Sequence, residues 1–74
     1  MKTKDFRHWL AINGIESRDH HGSIIIEEFI QVYTQTGEVV FLDYLRVDTQ
    51  NPFINTLTII EKAIEYARTP VKER

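Results

Sequence analysis

Three histidines, eleven carboxylates and nine basic side chains are the groups in this 74-residue chain that could do chemistry. Asp19, His20 and His21 stand together, with His8 and Glu16 elsewhere, and form the one concentration of metal-ligand types. Zinc and other borderline metals accept imidazole and carboxylate ligands. Adjacent histidines in a strand-like segment point to opposite sides, however, and no His-x-x-x-His pair for a helix face is present. The expectation is a solvated connector with no metal site and no cofactor. Acid–base catalysis by paired carboxylates needs two of them converging in a cleft. Glu27 and Glu28 are neighbours on an expected strand and so point apart. Glu28 and Asp43 share a face in only one of two hairpin registers, as a diagonal pair. An acidic side chain inside an apolar strand reads better as half of an interface ion pair, and Arg46 is the partner for Glu27 or Glu28, depending on register. No Gly-x-Ser-x-Gly nucleophile motif occurs, and Gly14, Gly22 and Gly37 make no phosphate-cradling loop. A non-enzymatic protein is expected.

Length leaves room for a single domain, close to the lower limit for a self-sufficient core. With no cysteine there is neither a disulfide scaffold nor a Cys-based zinc site. No apolar run approaches a membrane span, and the first residues lack the apolar stretch of a secretory signal, so a cytoplasmic protein is expected. The formal charge of −2 is unevenly spread. Residues 15–50 set Arg18 and Arg46 against Glu16, Asp19, Glu27, Glu28, Glu38, Asp43 and Asp48, a net −5, while both ends of the chain are mildly basic.

The elements that must position these groups read as helix, strand, strand, helix. The first helix runs from about Lys4 to Asn13, with Thr3 as cap and Phe6, Trp9, Leu10 and Asn13 on one face. Gly14 suits the left-handed residue that ends a helix, with Ile15 as the apolar contact beyond it. Ile15 to Ser23 reads as a polar connector. Strands follow over about 23–34 and 38–48, both rich in Ile, Val, Phe and Tyr. Between them, Thr34-Gln35-Thr36-Gly37-Glu38 predicts a three-residue loop with Gly37 left-handed. This stretch resembles the Thr-Leu-Thr-Gly-Lys turn of ubiquitin's first hairpin, a five-residue likeness that implies turn geometry and no function. Asn51-Pro52 is a helix start, and Phe53, Leu57, Ile60, Ile64 and Ala67 make an apolar stripe over about 52–68, ended by Thr69-Pro70.

A three-residue loop sets Val32 opposite Val40, Ile30 opposite Leu42, Glu28 opposite Tyr44 and Ile26 opposite Arg46; a two-residue loop shifts the pairing by one. Either way both faces of the hairpin remain largely apolar, whereas a solvated antiparallel sheet alternates apolar with polar. Two helices cover one face of such a hairpin, and about seven large apolar side chains on the other exceed what a monomer leaves exposed. A second copy, or a different protein, is the expected cover. The alternative is a self-contained monomer whose helices straddle the hairpin.

Aromatics on the sheet (Phe29, Tyr33, Phe41, Tyr44) suggest a second class of function, base stacking. The layout resembles α-β-β-β-α RNA-binding folds and the small toxins that carry a sheet histidine. It departs from them where the toxins have Gly-Ser-His-His, since this chain has His20-His21-Gly22-Ser23, and residues 49–51 leave no room for a third strand after the hairpin. Phosphate affinity needs clustered Lys and Arg, and only Lys2, Lys4, Arg7 and His8 at one end and Arg68, Lys72 and Arg74 at the other supply it.

The sequence thus predicts an α+β domain of α-β-β-α order, completed by dimerisation. Its expected function is to bind or regulate a protein with a basic surface through an acidic, aromatic-bearing sheet face. Phe29, Tyr33, Phe41 and Asp43 form the expected interface, with Glu27 and Arg46 setting register. Nucleic-acid binding through the sheet aromatics and basic helix ends is the alternative.

Overall fold

The structure is a computed structural model that describes residues 1–43 and 55–74. Helix α1 (Thr3–Ile12) leads into four strands, β1 (Ser17–His20), β2 (Ser23–Ile26), β3 (Ile30–Tyr33) and β4 (Val39–Phe41), and helix α2 (Thr56–Arg68) follows. The strands form an antiparallel meander in the order β1-β2-β3-β4. The domain is therefore α+β, with four strands among the described residues where the sequence predicts two.

Both additional strands come from turns with weak sequence signals. The expected polar connector is strand β1, paired along its length with β2. It turns at His21 (φ 45) and Gly22 (φ 76), two successive positive-φ residues of the kind a tight hairpin turn requires. The expected long strand 23–34 is broken after Ile26. Glu27 (φ 51) and Glu28 (φ 59) both enter the left-handed region, and the Phe29 N–H donates to the Ile26 carbonyl at 3.1 Å. Neither glutamate is a residue that favours such backbone.

The hairpin between β3 and β4 also differs in register. The Tyr33 N–H donates to Glu38 O and the Gly37 N–H to Tyr33 O, each at 2.9 Å, so the loop is Thr34–Gly37, one residue longer than expected. Gly37 is left-handed (φ 78). Val32 consequently faces Val39, Gln31 faces Val40 and Ile30 faces Phe41, in place of the pairs with Val40 and Leu42. The one-residue shift turns Val39 and Phe41 toward the same face as Ile24, Ile26, Ile30 and Val32.

That face is the core. Phe6 and Leu10 from α1 and Ile59, Ala63 and Tyr66 from α2 pack with it, so both helices lie on one side of the sheet and neither straddles it. Phe6 stacks on Tyr66 with ring centroids 4.6 Å apart, and the Tyr66 hydroxyl lies 2.6 Å from Thr3 Oγ1. The Met1 ammonium donates to Thr69 Oγ1 at 3.0 Å, so the start of α1 sits beside the end of α2. Thr3 thus spends its hydroxyl on Tyr66; Lys2 occupies the cap position without a side-chain bond.

Helix α1 closes in a Schellman motif, with Gly14 N–H bonded to Ala11 O and Ile15 N–H to Leu10 O, while Ile15 is buried as its apolar contact. Helix α2 is capped by Asn55, whose side chain accepts from the Leu57 N–H at 2.7 Å. The expected start at Asn51-Pro52 and the stripe residue Phe53 lie outside the described residues. In the described helix the buried row is Thr56, Ile59, Ala63 and Tyr66. It lies about 100° round the helix from the predicted stripe, whose Leu57 is exposed.

Candidate binding cleft on the helix-free sheet face

Strand pairing decides what the second face carries. Residues alternate between faces along a strand. Opposite the core, the described positions therefore hold Arg18 and His20 from β1, Ser23 and Ile25 from β2, Gln31 and Tyr33 from β3, and Val40 from β4. Only Ile25, Tyr33 and Val40 among these are apolar. The largely apolar second face expected from the sequence is not found among the described residues, because the turn at Glu27-Glu28 and the longer loop at Gly37 send Phe29, Val39 and Phe41 to the helix side. The face is mixed, and part of it is an internal polar network: Gln31 Nε2 donates to Ser23 Oγ at 2.7 Å, and Ser23 Oγ donates in turn to the His20 carbonyl.

At one end of this face the β1 strand and the Glu27-Glu28 turn enclose an open cleft of about 290 Å³, lined by Glu16, Ser17, Arg18, Ile25, Glu27 and Glu28. Its floor is Ile25, 5% exposed although it lies on the face away from the helices. Its walls carry three carboxylates and one guanidinium. The backbone holds these walls together, since the Glu27 N–H donates to Glu16 O at 2.9 Å. Arg18 and Glu28 pair in a fork, Nε to Oε1 at 2.7 Å and Nη2 to Oε2 at 3.2 Å. These hydrogen bonds raise the Arg18 guanidinium above its ordinary pKa, with desolvation opposing them and the Glu28 charge adding to them. Both side chains are about half exposed, so the pair orients its partners more than it stabilises the fold. Chemically the cleft is an anionic rim over an aliphatic floor.

The expected interface residues fall in different places. Glu27 lines the cleft. Tyr33 is half-buried on the same face, at the far end of β3. Phe29 is 3% exposed in the core, and Phe41 is half-buried against that core. Neither presents its ring as a docking aromatic, and a Phe41→Glu change would report on folding. Asp43 is half-buried just beyond β4, while Arg46 and Tyr44 lie outside the described residues. Asp19 pairs with Arg7 across to α1. The residues that sequence reasoning misses are Ser17, Arg18 and Ile25. Their signal is weak: Glu16–Arg18 and Glu27–Glu28 meet only because β1 pairs with β2, and nothing in a polar stretch announces an edge strand.

His20 and His21 are brought together, against expectation. The positive φ of His21 takes it off the alternation of a strand, and the two rings stand 4.4 Å apart, edge to face. No group of three or more His, Cys, Asp or Glu placed to hold a metal occurs among the described residues. No helix among them is long and apolar enough to cross a membrane. Compared with protein-family models, curated proteins and solved structures, the chain matches none.

Proposed function

We propose that this chain is a protein-interaction module whose working surface is the helix-free face of its sheet. The cleft at Glu16 and Glu27, beside the Arg18–Glu28 pair, takes a Lys or Arg side chain from a basic surface on a larger protein. The observation that carries this reading is the combination of an Ile25 floor with carboxylate walls. Such a site suits the methylene stem and charged head of a basic side chain together. Complementary charge also speeds and selects encounter. A polyanionic partner is less well served. Of the nine Lys and Arg residues, Arg7, Arg18 and Lys62 pair with carboxylates of the chain, and Arg74 is spent on the Thr34, Ala67 and Thr69 carbonyls.

The backbone supports the same reading. Left-handed conformation costs a residue with a side chain about 1–2 kcal/mol. Two consecutive glutamates accept that cost here, and retained strain is a mark of functional sites. Glu27→Gly relieves one strained position and removes one carboxylate from the rim. The variant is expected to unfold at higher urea concentration, gaining about 1 kcal/mol, while binding a lysine-rich peptide several-fold more weakly in low salt. Undiminished peptide binding by that variant contradicts the proposal.

A second copy is the competing occupant of the face. With Ile25, Tyr33 and Val40 as its apolar residues among the described positions, the face lacks the apolar area that motivated a homodimer from sequence. Light scattering behind a sizing column is expected to give 8.7 kDa, the mass of one chain, unchanged on dilution. A steady mass of twice that value puts a copy of the chain over the sheet and removes the cleft from partners.

A further inference from the structure

We infer that His20 and His21 form a two-imidazole site for a first-row divalent ion of tetragonal preference, Cu(II) or Ni(II), with water in the remaining positions. The site lies at the opposite end of β1 from the acidic cleft and is independent of it. Both side chains are exposed, and their ring centroids are 4.4 Å apart. Imidazole nitrogens bind such ions at about 2.0–2.1 Å, and a ring centre lies roughly 1.1 Å behind its nitrogen, so two imidazoles in cis positions at about 90° have centres about 4.5 Å apart. A tetrahedral angle spreads them to about 5.2 Å by the same arithmetic. The observed spacing matches the tetragonal arrangement. The rings now meet edge to face, at 75° between planes. Rotation of each ring about its Cβ–Cγ bond, whose axis passes close to the ring centre, turns the nitrogens without changing that spacing.

The turn that carries the pair is held in place. Ser23 Oγ donates to the His20 carbonyl, Gln31 Nε2 donates to Ser23 Oγ, and the Thr34 N–H and Oγ1 both donate to the Gly22 carbonyl at 3.0 Å. These bonds fix the backbone on either side of both histidines. The backbone share of the ordering cost of a chelating pair is therefore met by the fold before the ion arrives, and the two rings supply the rest.

Isothermal titration of the full chain with Cu(II) or Ni(II) in neutral buffer tests the site, with His8 on α1 as the internal control. One ion per chain is expected. His20→Asn and His21→Asn are each expected to weaken binding by more than the roughly 10–100-fold that loss of an outer-shell partner costs a metal site. Asn is chosen because it tolerates left-handed backbone at position 21. His8→Asn should leave the affinity unchanged. On the unmodified chain, sub-stoichiometric Cu(II) should broaden the ring proton signals of His20 and His21 together and leave those of His8 sharp. Binding that survives either single change at position 20 or 21, or broadening that begins at His8, overturns the inference.

Discussion

Tyr66→Ala is expected to remove a large share of the chain's folding stability. Tyr66 is wholly buried, stacks on Phe6 and shares a 2.6 Å hydrogen bond with Thr3 Oγ1, while the Arg74 guanidinium lies 5.5 Å over its ring. It therefore joins α1, α2 and the C-terminal turn Val71–Glu73 through one side chain. Truncating a buried aromatic to Ala costs about 3–5 kcal/mol. A domain of this length has about 4–11 kcal/mol in total at 0.05–0.15 kcal/mol per residue. Circular dichroism across a urea titration checks the loss. Tyr66→Phe separates the two contributions, since it keeps the stacked ring and removes only the hydroxyl bond, worth about 0.5–1.5 kcal/mol.

Gly37→Ala should cost nearly as much, through a different mechanism. Gly37 has φ +78, and a Cβ there would meet the Ala67 carbonyl oxygen at 2.5 Å and Arg74 Nη2 at 2.7 Å. The carbonyl belongs to α2 and accepts a 2.8 Å hydrogen bond from Arg74, so it cannot withdraw without breaking that bond. Left-handed strain of about 1–2 kcal/mol adds to an overpacking cost of about 1–3 kcal/mol, for a total of roughly 2–5 kcal/mol. Gly22→Ala supplies the comparison. Its φ is +76 but nothing lies within 4 Å of the added methyl, so only the backbone term of about 1–2 kcal/mol applies. Thermal unfolding of the two variants measures the difference, at about 4–8 °C per kcal/mol for a domain of this size. Equal shifts would mean that the loop does not press on the end of α2.

These two sites also show what a sequence of this kind makes legible. The left-handed Gly37 and the Gly14 helix end can be read directly, because a glycine after a helix or in a hairpin loop has one outstanding use. The class, two helices with an antiparallel sheet, follows from the apolar spacing. The strand count does not. Glu27-Glu28 carries no turn chemistry, and the run Ile24-Ile25-Ile26 hides the break by being apolar on both faces, Ile25 being buried although it lies on the helix-free face. Strand β1 hides for the converse reason, since an exposed edge strand of Ser17, Arg18, Asp19 and His20 has no alternation to detect. Register then decided the aromatics. One extra loop residue moved Phe41 from an expected docking face into contact with the core, and the new turn carried Phe29 there too. The acidic charge of the middle segment was visible, but its focus was not, because Glu16 and Glu27, eleven residues apart, become neighbours only through strand pairing.

The central claim is that the acidic cleft, and not the basic ends of the helices, meets the partner. A two-dimensional amide NMR titration of the full chain, run in parallel with a lysine-rich peptide and with a short duplex RNA, tests it directly. The peptide should shift Ser17, Arg18, Ile25, Glu27 and Glu28 and lose its effect as salt is raised, since exposed charges are screened. The RNA should leave the spectrum unchanged. Shifts confined to Lys2, Lys4, Arg68 and Lys72 on adding RNA, with none from the peptide, would contradict the account and assign the working surface to the paired ends of α1 and α2.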